Sequence, residues 1–230
     1  MKIIVFDTET SGLPMGGFIP TIVQFSYVKY NTETNEIEKE VDSIIKQPTD
    51  YIIPKESIRI HHITNEMCAN RGVEVLPILH QFIEDTKDCE RIVGHNISFD
   101  MDRLTSVYRK MADGHPDPAV REHYVREIQY IVDHMRPKTY CTMRRSVDFC
   151  NIVRINVRGN KYKKVPKLVE LYEKIFDYRP DGLHNSLVDV YACLLCYIIL
   201  VYGTTTTMDI KREIVNRMNV IQNSIEDQIT

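Results

Sequence analysis

Nine glycines and ten prolines among 230 residues are too few for a collagenous or disordered chain. The opening Met1–Phe6 is too short for a secretory signal and runs straight into Asp7. The longest uncharged apolar run, Ala192–Tyr202, falls far below the ~20 residues that span a bilayer, so no membrane role is expected. Positive charge is not in excess either. Lys+Arg number 29 against 32 Asp+Glu, a net −3 with pI near 6.2. Any hold on nucleic acid must therefore come from a local basic patch or from bound cations. The six cysteines, at 68, 89, 141, 150, 193 and 196, lack the paired spacing of zinc ligands and read as buried free thiols. What is present, 43% hydrophobic and 27% charged residues, suits one large soluble domain, expected to be intracellular.

Periodicity gives a coarse order of elements. Lys2–Phe6, Thr21–Tyr30 and Glu38–Ile45 read as consecutive strands, the last two joined by a polar turn at 31–35. Val75–Glu84 has helical spacing, Arg91–His95 is a short strand, and Ser98 can cap a helix running to about Met111. Residues 113–138 read as an insertion with a polar helix to about His134, before a strand at Thr139–Cys141 and a helix to Cys150. Ile152–Lys164 alternates around Arg158-Gly159-Asn160-Lys161 like a hairpin, and Pro166 suits the first turn of a helix ending near Phe176. Leu187–Tyr202 reads as a buried helix. After the threonines at 204–207, Ile210, Ile214, Met218, Ile221, Ile225 and Ile229 form an amphipathic stripe, suited to packing on its own domain or on a partner helix.

Asp7 and Glu9 are spaced i and i+2 at the end of the first strand, so both carboxylates point to one face and Thr8 to the other. Acids that close raise each other's pKa unless a divalent cation sits between them, although a solvated strand end would also tolerate them. Asp100 falls in the first turn of a helix, where the dipole favours a carboxylate on structural grounds alone. Asp189 completes a capping box with Ser186, and His184 just upstream could be an ordinary loop histidine.

Taken in order, Phe-Asp7-Thr-Glu9-Thr-Ser-Gly-Leu, His-Asn-Ile-Ser-Phe-Asp100 and His184-Asn-Ser-Leu-Val-Asp189 resemble the three motifs of DEDD-type 3′-to-5′ exonucleases of the DEDDh subgroup. That subgroup includes the proofreading exonuclease subunit of bacterial DNA polymerase III and related viral and eukaryotic exonucleases. The resemblance covers about residues 1–203, with 204–230 as an added C-terminal helix. Ile60-His-His-Ile-Thr64 and Pro166-Lys-Leu-Val-Glu-Leu-Tyr172 resemble further family segments. Ser11, His62 and Asn185 depart from the commonest residues, but no acid is missing and His184 is in place.

The resemblance implies a ribonuclease H-like α/β fold, a mixed five-stranded sheet with strand 2 antiparallel to the rest and helices on both faces. It implies that Asp7, Glu9, Asp100 and Asp189 bind two Mg²⁺ or Mn²⁺ ions and that His184, five residues before Asp189, is the general base. Hard oxygen ligands suit such ions, and a pair ~3.5–4 Å apart can clamp an in-line phosphoryl displacement. Products would be nucleoside 5′-monophosphates. It further implies that Thr10, Leu13, His61 and Phe99 contact the terminal nucleotides. From Phe149 to Val169 there are six cations and no acid, so Lys161, Lys163 and Lys164 are candidates to guide the strand, or else form a solvated face. DNA, as single strands or frayed 3′ ends, is the expected substrate. RNA hydrolysis by the same chemistry and a non-catalytic nucleic-acid-binding module are the alternatives, with a polymerase or another protein as a conceivable partner.

Overall fold

The structure is a computed structural model. It describes residues 1–180, 182–203 and 208–229, with the side chains of 208–209 and 225–229 left aside. Thr204–Thr207 and the side chains of Ile225 and Ile229 thus lie outside the described residues. No helix among those described is long and apolar enough to cross a membrane.

The frame is a five-stranded sheet in the order β3-β2-β1-β4-β5. β1 (Lys2–Thr10) lies at its centre, flanked by β2 (Ile22–Asn31) and β4 (Arg91–Gly94). β3 (Glu36–Ile44) pairs antiparallel with β2, and β5 (Thr139–Cys141) pairs parallel with β4. β2 alone runs against the others, as expected. β1 is longer than its apolar run suggests: the ladder with β2 continues past Phe6 to Thr10, with a bulge between Glu9 and Thr10. Asp7 and Glu9 are therefore paired strand residues, opposite Ser26 and Gln24.

The two-residue period of β1 divides the core. Ile3 and Val5 face one layer, made by α8 (Leu168–Phe176), α9 (Ser186–Tyr202) and α10 (Met208–Ile229). Ile4 and Phe6 face the other, made by α3 (Val75–Thr86) and α4 (Ile97–Gly114). There Phe6, Phe25 and Tyr27 close around Phe82 of α3, with ring centroids 4.7–5.2 Å apart. α9 is buried along nearly its whole length, and α10 covers it with Ile210, Ile214 and Met218.

Several local expectations are corrected. Residues 46–73, read without helices, hold α1 (Lys55–His61) and α2 (Asn65–Arg71). Each is seven residues, too short for a 3.6-residue stripe to stand out. Ser98 does not cap α4. Asn96 occupies the cap position instead, without a side-chain cap bond and in a left-handed conformation (φ 70°), which asparagine tolerates better than most residues. Ser186 is not the cap of α9 either, because the Asn185 side chain accepts from the N–H groups of Leu187 and Val188. Segment 113–138 contains α5 (Pro118–Tyr130), then a π-helical turn and a 3₁₀ turn. Ile131 and Met135 of the π turn reach the core beneath α4. The remaining elements are the short helices α6 (Thr142–Arg145) and α7 (Val147–Cys150) and a separate hairpin, β6 (Val153–Ile155) with β7 (Lys161–Lys163).

Candidate active site

Past Phe6 the alternation of β1 continues with polar residues. Asp7 and Glu9 point to the α9 side, where Asp189 occupies the first turn of α9. One carboxylate oxygen from each of these three acids lies within 4.8 Å of the others. Asp100, from the first turn of α4, stands apart from this trio but within its field. It accepts a 2.7 Å hydrogen bond from Thr8 Oγ1, the side chain of β1 that points to the opposite face.

The electrostatics are those of anions crowded without a counter-charge. Burial pushes the Asp7 carboxyl up to about 7. Burial, then Asp7, Asp189 and Asp100, raise Glu9 to about 10. Asp100 and Asp189 are both raised, first by burial and then by Asp7; the Thr8 bond works against this at Asp100. Among the described residues no lysine or arginine forms an ion pair with any of the four, and Asp189 Oδ1 is shielded without a partner. A set of hard oxygen donors with unrelieved negative charge fits a divalent cation such as Mg²⁺ or Mn²⁺.

His184 precedes α9 in a left-handed conformation (φ 79°), and its backbone N–H donates to Asp189 Oδ2 at 3.3 Å. Partial burial, with Lys167 and His62 nearby, lowers the pKa of its ring and favours neutral imidazole. His184 lines a cleft of about 940 Å³ together with Gln24, His61, His62 and Ile221, Gln222 and Ser224 of α10. His61 is buried and its Nδ1 accepts from the Ile63 N–H, which assigns the ring proton to Nε2. That atom is shielded without a well-formed hydrogen bond among the described residues; the nearby Thr10 backbone favours the charged ring, but burial outweighs it and holds the ring pKa down at about 4. Thr10 is buried and donates to the Gly12 carbonyl, while Leu13 stands 74% exposed beyond it. Phe99 precedes Asp100 and carries the Arg103 guanidinium over its ring.

The basic hairpin is less available than its composition implied. Lys163 pairs with Asp148 of α7 at 2.7 Å and Lys164 with Glu170 of α8 at 2.5 Å. Both acids lie just outside the acid-free window, so counting charges along the chain missed them. Lys161, Arg154 and Arg158 have no ion pair among the described residues.

One supporting network was not anticipated. Gln24 and Ser26, cross-strand neighbours of Glu9 and Asp7, both donate to Asp42 Oδ1, at 2.7 and 2.6 Å. Gln24 Oε1 in turn accepts from the Ser186 N–H, and Ser186 Oγ donates to the Asp7 carbonyl at 2.7 Å. This ties the start of α9 to β1 and β2. The available signal was a glutamine and a serine at alternate positions of the otherwise apolar stretch 22–28.

Comparison with known proteins agrees with this geometry. No curated protein sequence matches the chain. Among solved structures, Escherichia coli exonuclease I in complex with a dT13 oligonucleotide superposes with a TM-score of 0.61 at 16% identity, covering 86% of this chain and 41% of that one. A product-bound exonuclease I gives 0.62 at 15% identity, covering 94% and 45%. Exonuclease I from Methylocaldum szegediense gives 0.55 at 20% identity, covering 86% and 40%. The chain thus spans about two fifths of the length of these neighbours, and at such identities they establish the shared ribonuclease H-like fold. The family carried by the RNase_T model, described as exonuclease, matches residues 4–197. That span takes in the strand bearing Asp7 and Glu9 and both helices bearing Asp100 and Asp189, so this chain belongs to the RNase_T exonuclease family of the DEDD superfamily.

Proposed function

We propose that the chain is a divalent-metal-dependent 3′-to-5′ exonuclease of the DEDDh subgroup that shortens single-stranded DNA, one nucleoside 5′-monophosphate at a time. The observation that carries this is the convergence of Asp7, Glu9 and Asp189 within 4.8 Å, with the His184 backbone fastened to Asp189. Asp7, Glu9 and Asp189 would hold one ion, with Asp7 and Asp100 at a second. Ions bound there would supply Lewis acidity toward the phosphoryl oxygens and acidify a coordinated water.

The chain's own groups do the rest. His184, exposed at the cleft and with its pKa lowered, takes the proton of the attacking water as general base. Thr8 keeps Asp100 oriented from the far face of the strand. Glu9 and the Thr10 backbone meet the terminal 3′-hydroxyl, while Leu13, Phe99 and the Nε2–H of His61 hold the last nucleotides. Lys161, with Arg154 and Arg158, is left to guide the following phosphates. The oligonucleotide bound by Escherichia coli exonuclease I supports single-stranded DNA as the substrate.

The test is digestion of end-labelled single-stranded DNA, RNA of the same sequence and closed circular single strands, with Mg²⁺ or Mn²⁺ and with EDTA. The expected result is mononucleotide release from the 3′ end of linear DNA, abolished by EDTA. Undiminished digestion in EDTA or cleavage of circles overturns the reading, and faster digestion of RNA reassigns the substrate.

A further inference from the structure

We infer that Arg103 grips the substrate strand: its guanidinium donates to a phosphodiester oxygen beside the nucleotide held against Phe99. This rests on the exonuclease reading and extends it to a residue that reading does not use. Arg103 follows Asp100 by three residues and Phe99 by four, so helical spacing sets it on the Phe99 side of α4. Its Cζ lies 5.3 Å from the Phe99 ring centroid. The residue is only 8% exposed, and its Nε and Nη1 are shielded from water with no acceptor among the described residues.

Among the described residues no ion pair or hydrogen bond answers that charge. The adjacent Asp102 is taken by Arg136 at 2.6 Å, Asp100 accepts from Thr8, and no ion pair among the described residues includes Arg103. A guanidinium does not escape burial by losing its proton. The contact with Phe99 offsets part of the desolvation but satisfies no N–H. Buried charged donors left without an acceptor are rare in native proteins, and one beside a ligand site points to an acceptor that arrives with the ligand. Here the arriving ligand is a polyanion, and arginine is well suited to phosphate oxygens. The placement also meets an electrostatic need. Four acids repel an incoming phosphate, and a fixed cation within one helical turn of Asp100 opposes that repulsion. A base stacked on Phe99 and a phosphate on Arg103 would fix one nucleotide at two points, with no dependence on its identity.

The experiment measures binding of fluorescein-labelled single-stranded oligonucleotides of two base compositions, in Ca²⁺ and across a salt series, to the wild type and Arg103→Met. The variant is expected to bind both about tenfold more weakly. Its slope of log K against log salt should be shallower by ~0.7. The melting temperature of the free protein should rise, because a buried unpaired charge is gone. Unchanged affinity and slope with a lower melting temperature would make Arg103 merely a prop for Phe99, and a loss confined to one base composition would make it a base contact; either overturns the inference. A wild type that binds neither oligonucleotide overturns the exonuclease reading as well, which separates the two failures. Should Arg103→Met not fold, the wild-type Arg103 Nε–H resonance, identified by its absence from Arg103→Lys, is expected to move on adding oligonucleotide. A resonance that stays in place overturns the inference.

Discussion

Two helices deliver an acid to β1 from opposite faces of the sheet, and they do it differently. α4 begins at a left-handed Asn96 with no side-chain cap, and its Asp100 is pinned by the Thr8 hydroxyl. α9 is capped by the Asn185 side chain and anchored through Ser186, and its Asp189 keeps one oxygen without a partner while the other takes the His184 N–H. Both acids use the first turn of a helix, where the dipole supports negative charge. The protein supplies a fixed hydrogen bond on one side and leaves a ligand position open on the other. Asp189 therefore joins Asp7 and Glu9 in the tight cluster, whereas Asp100 is oriented from behind. The cause is the strand period: Thr8 and the two acids beside it cannot face the same way.

The largest effect belongs to the open side. Asp189→Asn should lower single-turnover digestion by more than about 10³-fold, since it removes a cation ligand worth several kcal/mol. Its melting temperature in EDTA should rise, because burial and Asp7 disfavour the Asp189 charge. Retained activity would show that the trio is not the centre. His184→Ala should cost ~10²–10⁴-fold in kcat with a much smaller change in KM. Wild-type activity should rise with pH until the ring is neutral, with a midpoint lower than a free histidine's because burial disfavours the charged ring. The variant should lose that acid limb, and a variant weak in binding but normal in turnover would make His184 a substrate contact.

At the entrance to α4, the His95 ring is held between the Pro166 carbonyl and Thr142 Oγ1, each at 3.0 Å. Burial lowers its pKa from 6.5 to about 4. The unfolded chain thus binds this proton first as pH falls, and the stability His95 confers is complete above 6.5 and lost toward 4. The loss amounts to about 3 kcal/mol over that window. Urea midpoints at pH 7 and 5 for wild type and His95→Gln should show it as a difference between the two proteins. Comparing them isolates His95 from buried His61, which shifts stability in the same sense, and from the raised acids of the cluster, which shift it in the opposite sense.

Thr8→Val keeps the shape of the α4 side but removes the bond to Asp100. A buried hydrogen bond of about 1 kcal/mol corresponds to a roughly five- to tenfold fall in kcat. On an Asp100→Asn background the same change should add little, and a full additive loss would show that Thr8 acts elsewhere. The smallest effects compare the caps. Asn185→Ala should destabilise by about 1 kcal/mol in urea unfolding. Asn96→Gly should stay within about a few tenths of a kcal/mol, because glycine accepts its positive φ and no cap bond is lost.

Much of this was readable from the chain. The run of three strands followed by alternating helix and strand, and the sidedness of Asp7, Glu9 and Thr8, follow from periodicity, whereas the five-stranded sheet with its antiparallel second strand came from the family resemblance. What escaped was set by short or distant partners. α1 and α2 are too brief to show a period, and the caps depend on backbone conformations that Ser98 and Ser186 match in type only. Lys163 and Lys164 meet acids from flanking helices. Gln24 gains meaning only when β2 lies against β1 and α9 docks above them.

By itself, then, the sequence determined which residues could carry charge chemistry and how each sits on its own element, because backbone periods and first-turn preferences act within a few residues. Only the tertiary structure decided that positions 7 and 9 meet position 189, that Asp100 takes its bond from behind the strand, and that Arg103 is buried without an acceptor. Those outcomes depend on which helix covers which face of the sheet, and that is settled by apolar burial summed over the whole core rather than by any local segment.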